Sequence, residues 1–136
     1  MQAHSIRLFV YDLPAARAFY ADTLGLRCSA GTPGHGYCVF DAGALSLVVE
    51  AVAPDAPEDE HELVGRFSGL SFAVDDIGRR HDELRARGVH FVGAPERQAW
   101  GGILATFVDP AENRLQLVQL PVPARRATDA IANARP

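Results

Sequence analysis

The chain contains no lysine. All 13 of its basic side chains are arginine, which excludes Schiff-base chemistry and a lysine general base. Positive charge is also in deficit, with 17 acidic residues giving a net charge of −4, so no basic field is available to draw in nucleic acid or anionic lipid. Cysteine is scarce. Cys28 and Cys38 do not form a C-x-x-C pair and are too few for a disulfide framework, so a reducing, cytoplasmic setting is the simpler expectation. No apolar run approaches the roughly 18 residues of a membrane span, and the start MQAHSIRLFVYD lacks the apolar core and small-residue cleavage site of a signal peptide. Neither a nucleic-acid partner nor a membrane is expected.

What is present is an ordinary globular composition, 48% apolar and 22% charged over 136 residues, enough for one domain burying roughly 68% of its unfolded surface. Its main feature is that it repeats. Val10-Tyr11-Asp12-Leu13, a helix-like stretch, then Leu24-Gly25-Leu26 is echoed by Val74-Asp75-Asp76-Ile77, a second such stretch, then Arg87-Gly88-Val89. Asp12 to Gly25 is 13 positions and Asp76 to Gly88 is 12, the signature of an internal duplication. Halves too small to close their own cores pack on each other, and a pocket forms where they meet.

Each half begins with alternation. Ile6, Leu8 and Val10 oppose Ser5, Arg7 and Phe9, and Leu70, Phe72 and Val74 oppose Gly69, Ser71 and Ala73, the pattern of strands with two different sides. Asp12 and Asp76 suit helix starts, with Pro14 in a first turn, and Gly25 and Gly88 suit helix ends. GTPGHG at 31–36 predicts a turn and Asp41-Ala42-Gly43 a hairpin, followed by a strand over Leu45 to Val52. Further strands are predicted over Val89 to Val92, Leu104 to Val108 and Arg114 to Leu120. The organisation expected is module one over 4–53, a linker over 54–66, module two over 67–120 and a tail over 121–136. The acidic linker reads as a solvated loop with a short helix as the alternative, and the tail at most as a fraying helix over 127–134.

These motifs, Asp12-Leu13, Phe19-Tyr20, Leu24-Gly25-Leu26, Val74-Asp75-Asp76-Ile77, Trp100-Gly101-Gly102 and Asp109-Pro110…Asn113, resemble the vicinal oxygen chelate family. That family includes glyoxalase I, bleomycin-resistance proteins and extradiol dioxygenases. The resemblance implies an α+β fold of two tandem βαβββ modules, a cup-shaped eight-stranded mixed sheet around a cleft. It also implies four inward side chains that hold a metal in the metal-dependent members. Counting from the motifs places these at Ser5 and Gly69 on the first strands, Gln116 on the last, and Glu50, Ser46 or Val48 on the fourth.

A catalytic divalent site needs about three ligands from His, Glu, Asp or Cys. Gly69 has no side chain, Ser5 and Gln116 are neutral, and only Glu50 is an anion, so neither a metal nor another cofactor is expected. His4, His35, His61, His81 and His90 read as surface histidines. The expected ligand-binding residues are Arg7, Phe9, Tyr37, Glu50, Ser71, Trp100 and Gln116, with Phe107 a weaker aromatic candidate. Arg7 either pairs with Glu50 or receives a ligand carboxylate. Trp100 either stacks on a flat ligand or packs on the neighbouring module. Asp109 and Asn113 read as turn chemistry, Tyr20 as core and Phe19 as a module-interface residue.

The expected function is metal-independent binding of a small molecule by a homodimer. The alternative is a glyoxalase-like lyase or isomerase, or a dioxygenase, acting on a small carbonyl or aromatic substrate, with Glu50 as general base or metal ligand.

Overall fold

A computed structural model of the chain describes residues 1–122; the helix expected over 127–134 lies outside them. The fold is α+β and its strands fall into two mixed sheets. In the first, β1 (Ser5–Val10) runs parallel to β4 (Leu45–Ala51), which continues antiparallel to β3 (Tyr37–Ala42) and then β2 (Cys28–Thr32). In the second, β5 (Phe67–Ala73) runs parallel to β9 (Arg114–Gln119), followed by β8 (Ile103–Val108) and β6 (His90–Phe91), while the two-residue β7 (Glu96–Arg97) also pairs with β8. The orders β1-β4-β3-β2 and β5-β9-β8-β6 are the same topology twice.

The repeated motif consists of helix caps. Asp12 accepts from the Ala15 amide at 3.0 Å and Asp76 from the Arg79 amide at 3.1 Å, satisfying first-turn donors that otherwise lack partners. They open α1 (Leu13–Arg17) and α3 (Ile77–Ala86). Past α1 the chain widens into a π-helical segment, Ala18–Thr23, in which the Leu24 amide reaches back to Phe19 O. More residues per turn bring successive side chains closer to one face, and Phe19 and Tyr20 are both buried. The linker's acidic end forms α2 (Glu58–His61), a single turn instead of a solvated loop. His61 is correspondingly fastened, its Nδ1 2.9 Å from the Tyr11 hydroxyl and its Nε2 3.0 Å from Ala56 O.

One hydrophobic core serves both halves. Leu8, Val10, Leu47, Val49 and Phe40 from the first sheet join Ala105, Phe107, Leu115 and Leu117 from the second in a single cluster with Tyr20 and Leu84. Phe19 lies 6.4 Å from Phe107 across the halves, the interface role expected of it. Two expectations are corrected here. Phe107, a candidate for the cleft, is fully buried between Phe19 and Phe91, because its register partner is the core residue Leu115. His81 is buried too, edge-on to Phe91 at 4.4 Å, since its position on α3 falls on the stripe of Ile77 and Leu84.

Asp109 and Asn113 do more than turn the chain. Asp109 accepts from the Ala111 and Asn113 amides at 2.9 Å each, which is turn chemistry. Its second oxygen accepts from the buried Tyr20 hydroxyl at 2.7 Å and from Asn113 Nδ2 at 3.0 Å. Asn113 also donates to Phe9 O and accepts from the Gly65 and Arg66 amides. Burial first, then the Asp109 charge and hydrogen bond, push the Tyr20 phenol well above its ordinary range.

Candidate functional site

Alternation along β1 and β4 leaves Arg7, Phe9, Val48 and Glu50 on the face opposite the core. Register aligns Phe9, Glu50 and Tyr37 in one row and Arg7, Val48 and Val39 in the next. Arg7 reaches diagonally between rows and holds Glu50 in a bidentate pair, Nε to Oε1 and Nη2 to Oε2 at 2.8 Å each. That hydrogen bonding and the carboxylate charge raise the Arg7 pKa, with a small opposing effect from burial. The internal pair is thus the arrangement found. Its Arg7 side chain is 58% exposed, so it contributes little to stability, typically ~0–1 kcal/mol.

Arg66, the last residue of the expected linker, carries nothing in the sequence to mark it. Its Nη2 donates to Arg7 O at 3.0 Å, and its guanidinium lies 5.9 Å from the Phe9 ring centre, with that of Arg7 at 5.2 Å. The Phe9 ring is therefore electrostatically anchored by two cations. Tyr37 completes this half of the site, partly exposed beside Glu50.

The second sheet carries a row of a different character. Ser71, Gln116 and Thr106 are register partners across β5, β9 and β8. The Ser71 hydroxyl lies 3.3 Å from both Gln116 Oε1 and Gly69 O, and Gln116 Nε2 donates to Thr106 Oγ1 at 3.2 Å. An amide nitrogen carries two hydrogens, so among the described residues one Gln116 N–H and the Thr106 hydroxyl proton have no acceptor and can donate. They open into a recess of about 360 Å³ bounded by Val92, Glu96, Gln98 and Leu104. Glu96 has no mark in the sequence because β7 is too short to produce a strand pattern, and Thr106 has none because it joins the site only through its pairing with Gln116.

Trp100 sits in the β7–β8 turn, half exposed, with its ring laid over Gly102, where any Cβ would collide with it. It does not line the recess. Among the described residues no hydrogen bond, ion pair or ring contact joins the Arg7–Glu50 group to the Ser71–Gln116 group.

Register relates the two halves, and so picks out which of Ser46, Val48 and Glu50 is equivalent to Gln116, the last-strand position that the family resemblance implies. Ser71 precedes Asp76 by five residues, as Arg7 precedes Asp12. Gln116 is opposite Ser71 and Val48 is opposite Arg7, so Val48 stands at the level of Gln116. Glu50, opposite Phe9, corresponds instead to Val118, opposite Ala73. The four steps from Phe67 to Ser71 on β5 span only two on β9, Arg114 to Gln116. Gly69, at φ +72°, lies in that bulge, whereas β1 pairs without interruption. Serine, valine, glycine and glutamine offer no imidazole, thiolate or carboxylate, and among the described residues no three His, Cys, Asp or Glu side chains cluster. This donor set does not fit a divalent metal.

Residues 2–117 match the family model described as the Glyoxalase/Bleomycin resistance protein/Dioxygenase superfamily. The chain is 30% identical to the uncharacterized protein YraH of Bacillus subtilis (strain 168) over 127 residues, 88% of this chain and 99% of that one. Among solved structures it resembles TnmS3, an antibiotic binding protein from Streptomyces sp. CB03234, at 28% identity and a TM-score of 0.68, over 88% of this chain and 95% of that one. It shares its fold with a lactoylglutathione lyase from Agrobacterium tumefaciens at 23% identity and a TM-score of 0.70, covering 87% and 92% of the two chains.

Proposed function

We propose that this chain, which belongs to the Glyoxalase/Bleomycin resistance protein/Dioxygenase superfamily, binds a planar small molecule without a metal. What supports this reading is that none of the residues at the four levels the family resemblance implies for a chelate, Ser5, Val48, Gly69 and Gln116, carries an imidazole, thiolate or carboxylate, while the same sheet faces carry an organised set of polar and aromatic groups. Phe9 and Tyr37 offer aromatic surface, Arg7 and Arg66 offer cations, and the Ser71–Gln116–Thr106 row offers donors suited to carbonyl oxygens. A flat conjugated ligand with carbonyl or hydroxyl substituents matches that set. The likeness to TnmS3, an antibiotic binding protein, supports a small-molecule ligand.

The working unit is a homodimer. The aromatic–cationic group and the amide row lie on separate sheets, β1 and β5 are the end strands of those sheets among the described residues, and Phe67 on β5 is exposed. Bringing the first sheet of one copy against the second sheet of another covers these edges and unites the two groups. Catalysis by Glu50 is the weaker reading, because both of its oxygens already accept from Arg7 and a general base would have to give one up.

Melting-temperature shifts against a panel of quinones, glycopeptides and planar aromatics test the reading, with light scattering for the dimer. A shift with a quinone or aromatic that survives chelator treatment and is lost in Arg66→Gln supports it. No shift with any compound, or one that requires Zn, Ni or Fe, overturns it.

A further inference from the structure

The two cysteines lie on neighbouring strands of the first sheet, on its core face. Cys28 on β2 pairs with Phe40, and Cys38 on β3 pairs with Gly31. An extra residue on β2, between Cys28 and Ala30, shifts the register so that both sulfurs end on the side of Phe40. Position 31, directly opposite Cys38, is a glycine, so no side chain stands between the two thiols. Cys28 stands diagonally across from Cys38 on the same face of the sheet, and its Sγ is 3.5 Å from Ala30 O.

Their surroundings divide the roles. Cys38 is fully buried and Cys28 is partly exposed, so only Cys28 meets a solution reagent. Diagonal partners on adjacent antiparallel strands normally hold their Cβ atoms about 7–8 Å apart or somewhat less, whereas a disulfide requires about 3.8 Å. Some movement is needed, and β2 can supply it, since among the described residues it is an edge strand paired only with β3 and already irregular at Ser29.

We infer that Cys28 and Cys38 form an oxidisable dithiol that a hydroperoxide converts to an intrachain disulfide across the β2–β3 bulge. The Cys28 thiolate attacks one peroxide oxygen, the O–O bond breaks, and the departing alkoxide or hydroxide leaves as alcohol or water, giving a Cys28 sulfenic acid. Cys38 sulfur then attacks Cys28 sulfur, the S–O bond breaks, and hydroxide leaves with the Cys38 proton as water. Two thiols lose two electrons and two protons, and the peroxide gains both. The bond constrains β3 between Tyr37 and Val39, which face the binding side of the sheet, so oxidation acts on the strand that carries Tyr37. Such a reversible bond is compatible with a reducing compartment, where disulfides are transient and responsive.

Hydrogen peroxide is the probe. The intact protein is treated with it, denatured, alkylated with iodoacetamide and weighed. The expected product is 2 Da lighter, with neither cysteine alkylated, and dithiothreitol restores both thiols. In Cys38→Ser, and in Cys38→Ala as a second variant should the buried hydroxyl disturb folding, the reaction stops at a Cys28 sulfenic acid that dimedone captures. In Cys28→Ser, Cys38 remains alkylatable after denaturation. Recovery of both cysteines as alkylated thiols from peroxide-treated wild type overturns the assignment, as does a disulfide that links two chains.

Discussion

The Tyr20 hydroxyl donates to Asp109 Oδ2 at 2.7 Å across 89 positions of sequence, joining the first helical segment of one half to the last turn of the other. Both groups are buried, and the acceptor is a carboxylate, so the bond is of the stronger, charge-assisted kind. Tyr20→Phe keeps the ring and removes only this bond. A loss of about 1.5–3 kcal/mol in urea unfolding is expected. A change below about 0.5 kcal/mol would mean that Asn113 alone satisfies Asp109.

Alkaline stability follows from the same hydroxyl. The folded-state pKa of Tyr20 lies well above the ordinary value of 10.0, so the folded state holds this proton more tightly than the unfolded state. The resulting stability is complete below pH 10 and is lost as pH rises from there towards the folded pKa. Without lysine, few other groups titrate in that range, which makes the measurement clean; Cys38, raised by burial from 9.0, contributes in the same direction. Unfolding midpoints recorded from pH 8 to 11 should fall steeply above pH 10 in the native sequence and less steeply in Tyr20→Phe.

Asn113 bonds to Phe9, Gly65, Arg66 and Asp109 at once. Asn113→Asp replaces its amide donor with a second carboxylate against Asp109 in a site with no solvent exposure. Roughly 3–5 kcal/mol should be lost at neutral pH, the usual cost of an uncompensated buried charge. Part of it should return at pH 4, where protonation of the introduced group relieves the repulsion, and circular dichroism melts at the two pH values check the sign. Equal destabilisation at both would assign the loss to the missing donor alone.

The motifs that were legible in the sequence are those whose chemistry is local. Asp12 and Asp76 cap the helices that follow them, and apolar alternation marks which side of β1, β4 and β9 meets the core, because one strand's own residues carry that information. Arg66, Thr106 and Glu96 were illegible because each joins the site through a partner on another strand. The level of Glu50 was ambiguous for a related reason. Counting along one strand leaves an error of two residues on the same face, and only the pairing of Arg7 with Val48 removes it. Phe107 meets the core because β8 takes its facing from its pairing with β9, where Phe107 is opposite Leu115, and His81 is covered because it shares the buried stripe of Ile77 and Leu84 on α3; a count along the chain alone gives neither.

Trp100 is the chain's one tryptophan, and its ring rests against the hydrogens of Gly102. Gly102→Ala must push the ring off the turn. Fluorescence emission should shift to the red and become more accessible to acrylamide, while the melting temperature moves by only a few degrees, since the ring is already half exposed. Unchanged quenching in this variant would show that the turn yields instead of the ring.

The Arg7–Glu50 pair separates a binding role from a structural one. Both side chains retain solvent contact, 58% and 29% exposed, so water and salt screen the attraction that its 2.8 Å geometry suggests. In a double-mutant cycle built from Arg7→Gln and Glu50→Gln, the coupling energy should lie at about 0.2–1 kcal/mol. It should shrink in 1 M salt, where the screening length falls to about 3 Å. A coupling above about 2 kcal/mol that salt does not weaken would make the pair a structural element of the sheet, and Arg7 would then be committed to Glu50 and closed to a ligand. The weak, screened value leaves the guanidinium free to exchange one carboxylate for another, as a site on an open sheet face requires.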